Sequence, residues 1–211
     1  MAIVPIVLAA GESIRMGRAK PLCPFGSRPA LGLVLDACRD AGFVPIVVLG
    51  HQAEEVRRGV DLSGAKVIVN PDFAHGQTSS LQAGLRALPA DAEAFMLYPA
   101  DHPLITADEI APIVKEFRTR KENKQIFIPS YNLRRGHPVL FDAALKEEFL
   151  RLPEEAPART VINLLADRIT YIEIPTSAIL MDMDTPEDYA RCLEEWGRRE
   201  TTRRRAKEGD A

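Results

Sequence analysis

Short and nearly unbroken apolar runs alternate along the chain with stretches that are apolar on one side only. Residues 3–8, 44–49, 66–69, 94–98 and 125–129 are rich in Val, Ile, Leu or aromatic residues and bounded by Gly, Pro, Asn or Asp, which predicts strands. The lack of polar alternation within most of them predicts strands covered on both faces, as in a parallel sheet. Between these runs Leu31, Val34, Leu35, Cys38 and Ala41 recur at helical spacing, with Gly42 as a stop. Leu81, Gly84, Leu85 and Leu88 share one side of a predicted helix over 80–88, and Thr106 with Glu109 has the form of a capping box opening a helix towards Phe117. Such alternation predicts an α/β domain with a doubly wound, mostly parallel sheet, Rossmann-like in layout. Ligands bind such sheets beyond the carboxyl ends of the strands.

After residue 129 the alternation loosens. A short strand is predicted at 138–141, helices near 142–150 and 159–166, a strand at 169–174, and a last helix over 185–196 with Pro186 in its first turn. No linker or repeat interrupts residues 1–197, which are expected to form one domain. Residues 198–211 are charged, poor in apolar side chains and contain Arg203, Arg204 and Arg205; they predict a flexible, solvated tail.

Composition narrows the partners. A net charge of −3 gives no electrostatic reason to expect nucleic acid or an anionic membrane, and no stretch approaches the ~18 apolar residues of a membrane span. Cys23, Cys38 and Cys192 are scattered without CxxC spacing, which argues against a disulfide framework or a structural zinc site and predicts a cytoplasmic protein.

The segment after the first run carries the most chemistry. Leu8, Ala9, Ala10 and Gly11 are followed by Ser13, Arg15, Gly17 and Lys20. Small residues let backbone N–H groups approach an anion, and the two cations could reach phosphate oxygens. Neither a Walker A loop nor a GxGxxG fingerprint fits the spacing. A plain surface turn with exposed basic residues fits it too.

Asp101 closes the fourth predicted strand, where a carboxylate can hold a cation such as Mg2+ or cap a turn. Asp182 and Asp184 form a second acidic pair, and Asp184 with Glu187 also reads as the capping box of the last helix. Gly76 and the residues up to Ser80 open a helix whose free N–H groups suit a nucleotide or phosphate, or simply a Ser/Thr cap. Gly136, between Arg135 and His137, suits an acceptor's phosphate; a lone His before a strand is also an ordinary packing residue.

In order along the chain, the Leu8-to-Lys20 loop, the Asn70-to-Leu81 segment, Pro99-Ala100-Asp101, the segment from Arg135 to Phe141 and the one from Asp182 to Asp188 resemble the signature of the MobA-like nucleotidyltransferases. The molybdenum cofactor cytidylyltransferases are the nearest branch. The resemblance implies Arg15, Lys20 and Asp101 as catalytic residues, and Asp101 and Asp184 as ligands of Mg2+, with Asp182 left open. It implies nucleotide binding at Leu8, Ala9, Ala10, Gly11, Asn70, Ser79 and Ser80, and acceptor binding at Arg135, Gly136, His137 and Arg159. Arg159 lies in Pro157-Ala158-Arg159, similar to a family Gly-Ala-Arg segment whose preceding Gly-Asp is here Glu154-Glu155-Ala156. Ala10, where the guanylyltransferase branch usually carries Gly, points to CTP. The activity implied is transfer of CMP from CTP to a molybdopterin-type phosphate with release of pyrophosphate, with a molybdoenzyme as a further partner candidate. Alternatives are a guanylyltransferase of the same cofactor, a cytidylyltransferase of a sugar or alcohol phosphate, and a non-catalytic accessory protein for a molybdenum hydroxylase.

Overall fold

The first apolar run becomes β1 (Ala2–Ala9), buried from Ile3 to Ala9. The computed structural model describes residues 2–209. A small antiparallel ribbon, β2 (Pro24–Phe25) and β3 (Arg28–Pro29), leads into α1 (Ala30–Asp40). Then follow β4 (Ile46–Leu49), α2 (Ala53–Gly59), β5 (Lys66–Val69), α3 (Gln77–Arg86), β6 (Ala92–Pro99) and α4 (Ala107–Arg118). The second half holds β7 (Ile126–Tyr131), β8 (Arg134–Arg135), β9 (Val139–Asp142), α5 (Lys146–Leu150), α6 (Arg159–Leu164), β10 (Ile169–Glu173) and α7 (Pro186–Gly209).

One sheet runs in the order β10-β7-β9-β6-β1-β4-β5, with β8 paired to the end of β7. The pairs β1–β4, β1–β6, β4–β5 and β7–β10 are parallel. Strand β9 runs antiparallel between its neighbours β6 and β7, and the short β8 runs antiparallel to β7. The expected α/β fold with a mostly parallel sheet is therefore present. Successive residues of β1 face opposite layers: Val7 joins Leu31, Val47 and Phe117 on one side, while Ile6 joins Val48, Leu81, Leu85 and Phe95 on the other. A third cluster of Met16, Phe25, Leu104, Met183, Tyr189 and Cys192 lies beyond the carboxyl end of β1.

Three local features go beyond or differ from the sequence pattern. Helix α2 was not anticipated, because Val56 is its one buried residue and no apolar stripe marks it. The helix expected over 142–150 is a 3-10 turn at Ala143–Leu145 followed by α5, since the Asp142 side chain accepts from Ala144 N and starts a turn instead. Residues 198–209, expected as part of a charged tail, continue α7 to Gly209, and the last two residues of that expectation lie outside the described residues. The helix's arginines face glutamates one turn earlier, as in Arg198–Glu194, Arg199–Glu195 and Arg203–Glu200, spacings that support a helix. Arg199 also donates to the Leu104 carbonyl (2.8 Å) and to Thr176 Oγ1 (2.6 Å), tying the helix to the domain.

Helix caps matter for the site. The capping box at Thr106 and Glu109 forms as expected. For α7 the cap is Thr185, not Asp184: Thr185 N and Oγ1 donate to Asp188 Oδ2 at 2.9 and 2.8 Å, and Asp188 N donates back to Thr185 Oγ1 at 3.2 Å. The shift by one residue leaves the Asp184 carboxylate free for other partners.

Helix α3 presses on β1 and β4 through Gly84. A Cβ there would lie 2.4 Å from Ile6 Cγ2 and 3.3 Å from Val48 Cγ2, both fully buried. Gly84→Ala should cost about 1–3 kcal/mol of stability through overpacking, read as a lower urea midpoint. An unchanged midpoint would show that α3 is not held this close to the sheet.

Candidate active site

The loop after β1 is shaped by its own backbone. Ala100 N donates to the Leu8 carbonyl, and His51 N to the Ala10 carbonyl, each at 3.0 Å, so the neighbouring segments on both sides hold its first residues. Ser13 (φ 55°) and Gly17 (φ 70°) take left-handed conformations that reverse the chain. Lys20 N then donates to Ser13 Oγ at 3.1 Å, which closes the loop. Buried Met16 pins the loop to the third cluster, and the Arg18 guanidinium lies 4.8 Å above the Tyr189 ring of α7.

A cleft of about 280 Å³ opens against this loop. Leu8, Ala9, Ala10 and Gly11 line one wall, Phe73, Gly76, Gln77 and Ser80 a second, and Lys20 and Asp101 its end. Ala10 is buried, and a side chain at Gly50 would collide with its methyl group.

Four charged side chains from distant parts of the sequence meet at the Lys20 end. Lys20 Nζ donates to Asp101 Oδ2 at 2.9 Å and to Asp184 Oδ1 at 2.5 Å. Arg15 Nη2 donates to Asp184 Oδ2 at 2.7 Å. The Lys20 side chain is 16% exposed and that of Arg15 71%, so Lys20 is held within the site while Arg15 reaches in from solvent. His102 Nδ1 stands 3.1 Å from Asp101 Oδ1. Burial pushes the Asp101 carboxyl up, but the hydrogen bond and charge of His102 and the ammonium of Lys20 outweigh it and hold it well below the usual carboxylate range. Burial likewise works against the charge on Lys20, and Asp101 and Asp184 reverse it, leaving its pKa raised. Asp182 makes neither an ion pair nor a side-chain hydrogen bond among the described residues, and burial raises its pKa.

The remaining candidates divide. Ser80 lines the cleft, whereas Asn70 and Ser79 lie behind it in a buried knot. Asn70 Nδ2 donates to Ser79 Oγ (3.0 Å) and Ser80 Oγ (3.1 Å), and Asp72 N donates to Asn70 Oδ1. The knot shapes the wall instead of touching the cleft. Arg135 is exposed, with its guanidinium 5.3 Å above Tyr171. Gly136 packs on Ile179, leaving no room for a side chain. His137 lies against His102, ring centroids 4.8 Å apart, and its buried Nδ1 has no partner. Arg159 is exposed at the start of α6 and makes no ion pair among the described residues. His102 was missed although it adjoins Asp101. Phe73 was missed because nothing in its spacing sets it apart, whereas Gln77 lies in the Gly76-to-Ser80 stretch read as suited to a nucleotide.

Asp101 and Asp184 offer hard oxygen donors suited to Mg2+ or a similar cation. Among the described residues no group of three His, Cys, Asp or Glu side chains is arranged to hold a metal, so substrate oxygens and water would have to complete the coordination.

Residues 5–169 match the MobA-like NTP transferase domain. The chain belongs to that family. This MobA-like transferase is 28% identical to the molybdenum cofactor cytidylyltransferase of Escherichia coli K12, over 92% of this chain and 97% of that one. It is 25% identical to the nicotine blue oxidoreductase of Paenarthrobacter nicotinovorans, over 90% and 96%. A Mycobacterium tuberculosis H37Rv protein solved in complex with manganese superposes with a TM-score of 0.77 at 28% identity, covering 92% of this chain and 99% of that one. No described helix is long and apolar enough to cross a membrane.

The His137 ring generates a pH prediction. Burial, then the neighbouring His102, push its pKa down to about 4, against smaller opposing effects of Asp101 and a backbone hydrogen bond at Leu97. An unfolded imidazole titrates near ~6.5, so on acidification the unfolded chain takes up the proton first. The stability supplied by the neutral ring is complete above about pH 6.5 and is lost as pH falls towards 4. Between pH 7 and 4.5 the wild type should lose more unfolding free energy than His137→Gln. Parallel stability curves for the two would contradict this.

Proposed function

We propose that this transferase moves CMP from CTP to the terminal phosphate of a molybdopterin-type acceptor and releases pyrophosphate, with Mg2+ as the divalent cation. The meeting of Arg15, Lys20, Asp101 and Asp184 at one end of a cleft walled by backbone carries the reading. Loop amides from Ala9 to Gly11 and the N-terminal end of α3 bind the nucleotide. Lys20 and Arg15 neutralise its phosphates, Asp101 and Asp184 hold the cation, and His102 fixes the Asp101 carboxylate. The bound metal supplies Lewis-acid polarisation of the phosphate oxygens.

An oxygen of the acceptor phosphate forms a bond to the α-phosphorus, and the bond from α-phosphorus to the α–β bridging oxygen breaks. The attacking phosphate is already ionised, so no side chain has to remove a proton. Alignment and charge neutralisation supply the rate. CTP is favoured by Ala10 and by the likeness to a cytidylyltransferase, and the manganese complex of a relative supports a divalent cation.

Of the four acceptor-side candidates, His137 is packed behind Asp101 and Arg135 lies on Tyr171, which suits supporting the site better than gripping a phosphate.

Asp101→Asn should lower pyrophosphate release from CTP, Mg2+ and acceptor by on the order of a hundredfold or more, the scale of losing one preorganised electrostatic group. In thermal-shift titrations at one common nucleotide concentration the wild type should be stabilised more by CTP with Mg2+ than by GTP, ATP or UTP; a nucleotide present at a hundred times its dissociation constant adds about 2.7 kcal/mol over the ligand-free protein. Near-normal turnover of Asp101→Asn would remove Asp101 from its role in catalysis, whereas a wild type that binds nucleotide and releases no pyrophosphate would replace catalysis with an accessory role. A larger shift with GTP would move the nucleotide assignment.

A further inference from the structure

The two carboxylates best suited to a divalent cation already hold a cation between them. Lys20 Nζ is within hydrogen-bond distance of both Asp101 Oδ2 and Asp184 Oδ1, and Arg15 covers the other oxygen of Asp184. His102 stands on the other oxygen of Asp101. Every carboxylate oxygen of the pair thus faces a nitrogen, and the formal charges of Arg15, Lys20, Asp101 and Asp184 cancel.

A bare divalent ion arriving at this site has two obstacles. It must displace the ammonium from both carboxylates, leaving Lys20, largely enclosed at 16% exposure, without an anion. It then finds only two carboxylates, since no third His, Cys, Asp or Glu completes a ligand group among the described residues. A triphosphate in the adjoining cleft removes both obstacles. Lys20 and Asp101 line the same cleft end, so the ammonium can pass from carboxylate to phosphate oxygens with little movement. The phosphates also supply the oxygens that the metal lacks.

We propose that Lys20 is a resident counter-cation of this site, closing Asp101 and Asp184 to a free divalent ion until a nucleoside triphosphate draws its ammonium away. The inference rests on the assignment of these carboxylates to a divalent cation in the preceding subsection. Metal and nucleotide then bind as a coupled pair, each raising the affinity for the other by the same factor. The consequence runs opposite to intuition: removing the Lys20 charge tightens binding of the bare metal while weakening the nucleotide. A lysine that only bound phosphate, or only supported the fold, would not tighten the metal.

The test is titration of the full chain with Mn2+ without nucleotide, followed by electron paramagnetic resonance. Lys20→Met keeps most of the alkyl stem and should bind Mn2+ on the order of tenfold more tightly than wild type, within the usual range of coupling. Lys20→Arg retains the charge and should bind as weakly as wild type; circular dichroism melts verify that each variant is folded. Adding Asp101→Asn should abolish the gain in Lys20→Met. A non-hydrolysable CTP analogue should tighten Mn2+ in wild type by a larger factor than in Lys20→Met. If Lys20→Met binds Mn2+ no more tightly while Asp101→Asn still weakens binding, the counter-cation role is overturned and the carboxylate assignment survives. If Mn2+ binding ignores Asp101→Asn in every background, both fall.

Discussion

An ammonium lodged between two carboxylates organises this molecule's chemistry. Lys20 comes from the loop after β1, Asp101 from the turn after β6, and Asp184 from the residue before the cap of α7. In water such contacts contribute little, because solvent screens them and side-chain order opposes them. Here Lys20 is largely withdrawn from solvent and its partners are held by separate backbone elements, so the geometry is set before any ligand arrives. Charge held in place by the fold needs no rearrangement at the moment of a reaction.

The sheet supplies that preorganisation. Parallel pairing of β1 with β6 puts their carboxyl ends side by side, so the Leu8-to-Lys20 loop and Asp101 emerge together. Antiparallel β9 lies on the other side of β6 and its entry carries His137 against His102. The Asp101 carboxylate therefore faces Lys20 on one side and an edge-to-face imidazole pair on the other. Thr185 and Asp188 take over the capping of α7, which frees Asp184 for the ion cluster. The cluster of Met16, Phe25, Met183, Tyr189 and Cys192 then joins the loop to the start of that helix through apolar contact. The charge of the ion cluster and structural packing are thus divided between adjacent residues.

Much of this was legible in the sequence, for identifiable reasons. The buried strands announced themselves because residues covered on both faces cannot alternate with polar ones, and the capping box at Thr106 announced α4. Arg15, Lys20, Asp101 and Asp184 stood out by residue type at strand ends and by resemblance, and the fold brings all four together. Other features depend on tertiary contacts that no local pattern encodes. Asn70 and Ser79 look like ligand-binding polar residues, yet both are spent on shaping the wall behind Ser80. The helical continuation into the Arg-rich end was not legible because the glutamates one turn earlier and the distant Leu104 carbonyl, which Arg199 meets, lie outside any compositional window. The choice between Asp184 and Thr185 as cap differed by a single residue, within the usual uncertainty of a helix start.

The most direct examination of the central claim is anomalous diffraction from crystals grown with Mn2+ and a non-hydrolysable CTP analogue. The account predicts a manganese peak bridging Asp101, Asp184 and phosphate oxygens, with Lys20 Nζ moved onto the triphosphate. A peak at another site, or a nucleotide seated away from the Leu8-to-Lys20 loop while Lys20 stays between its two carboxylates, would contradict it.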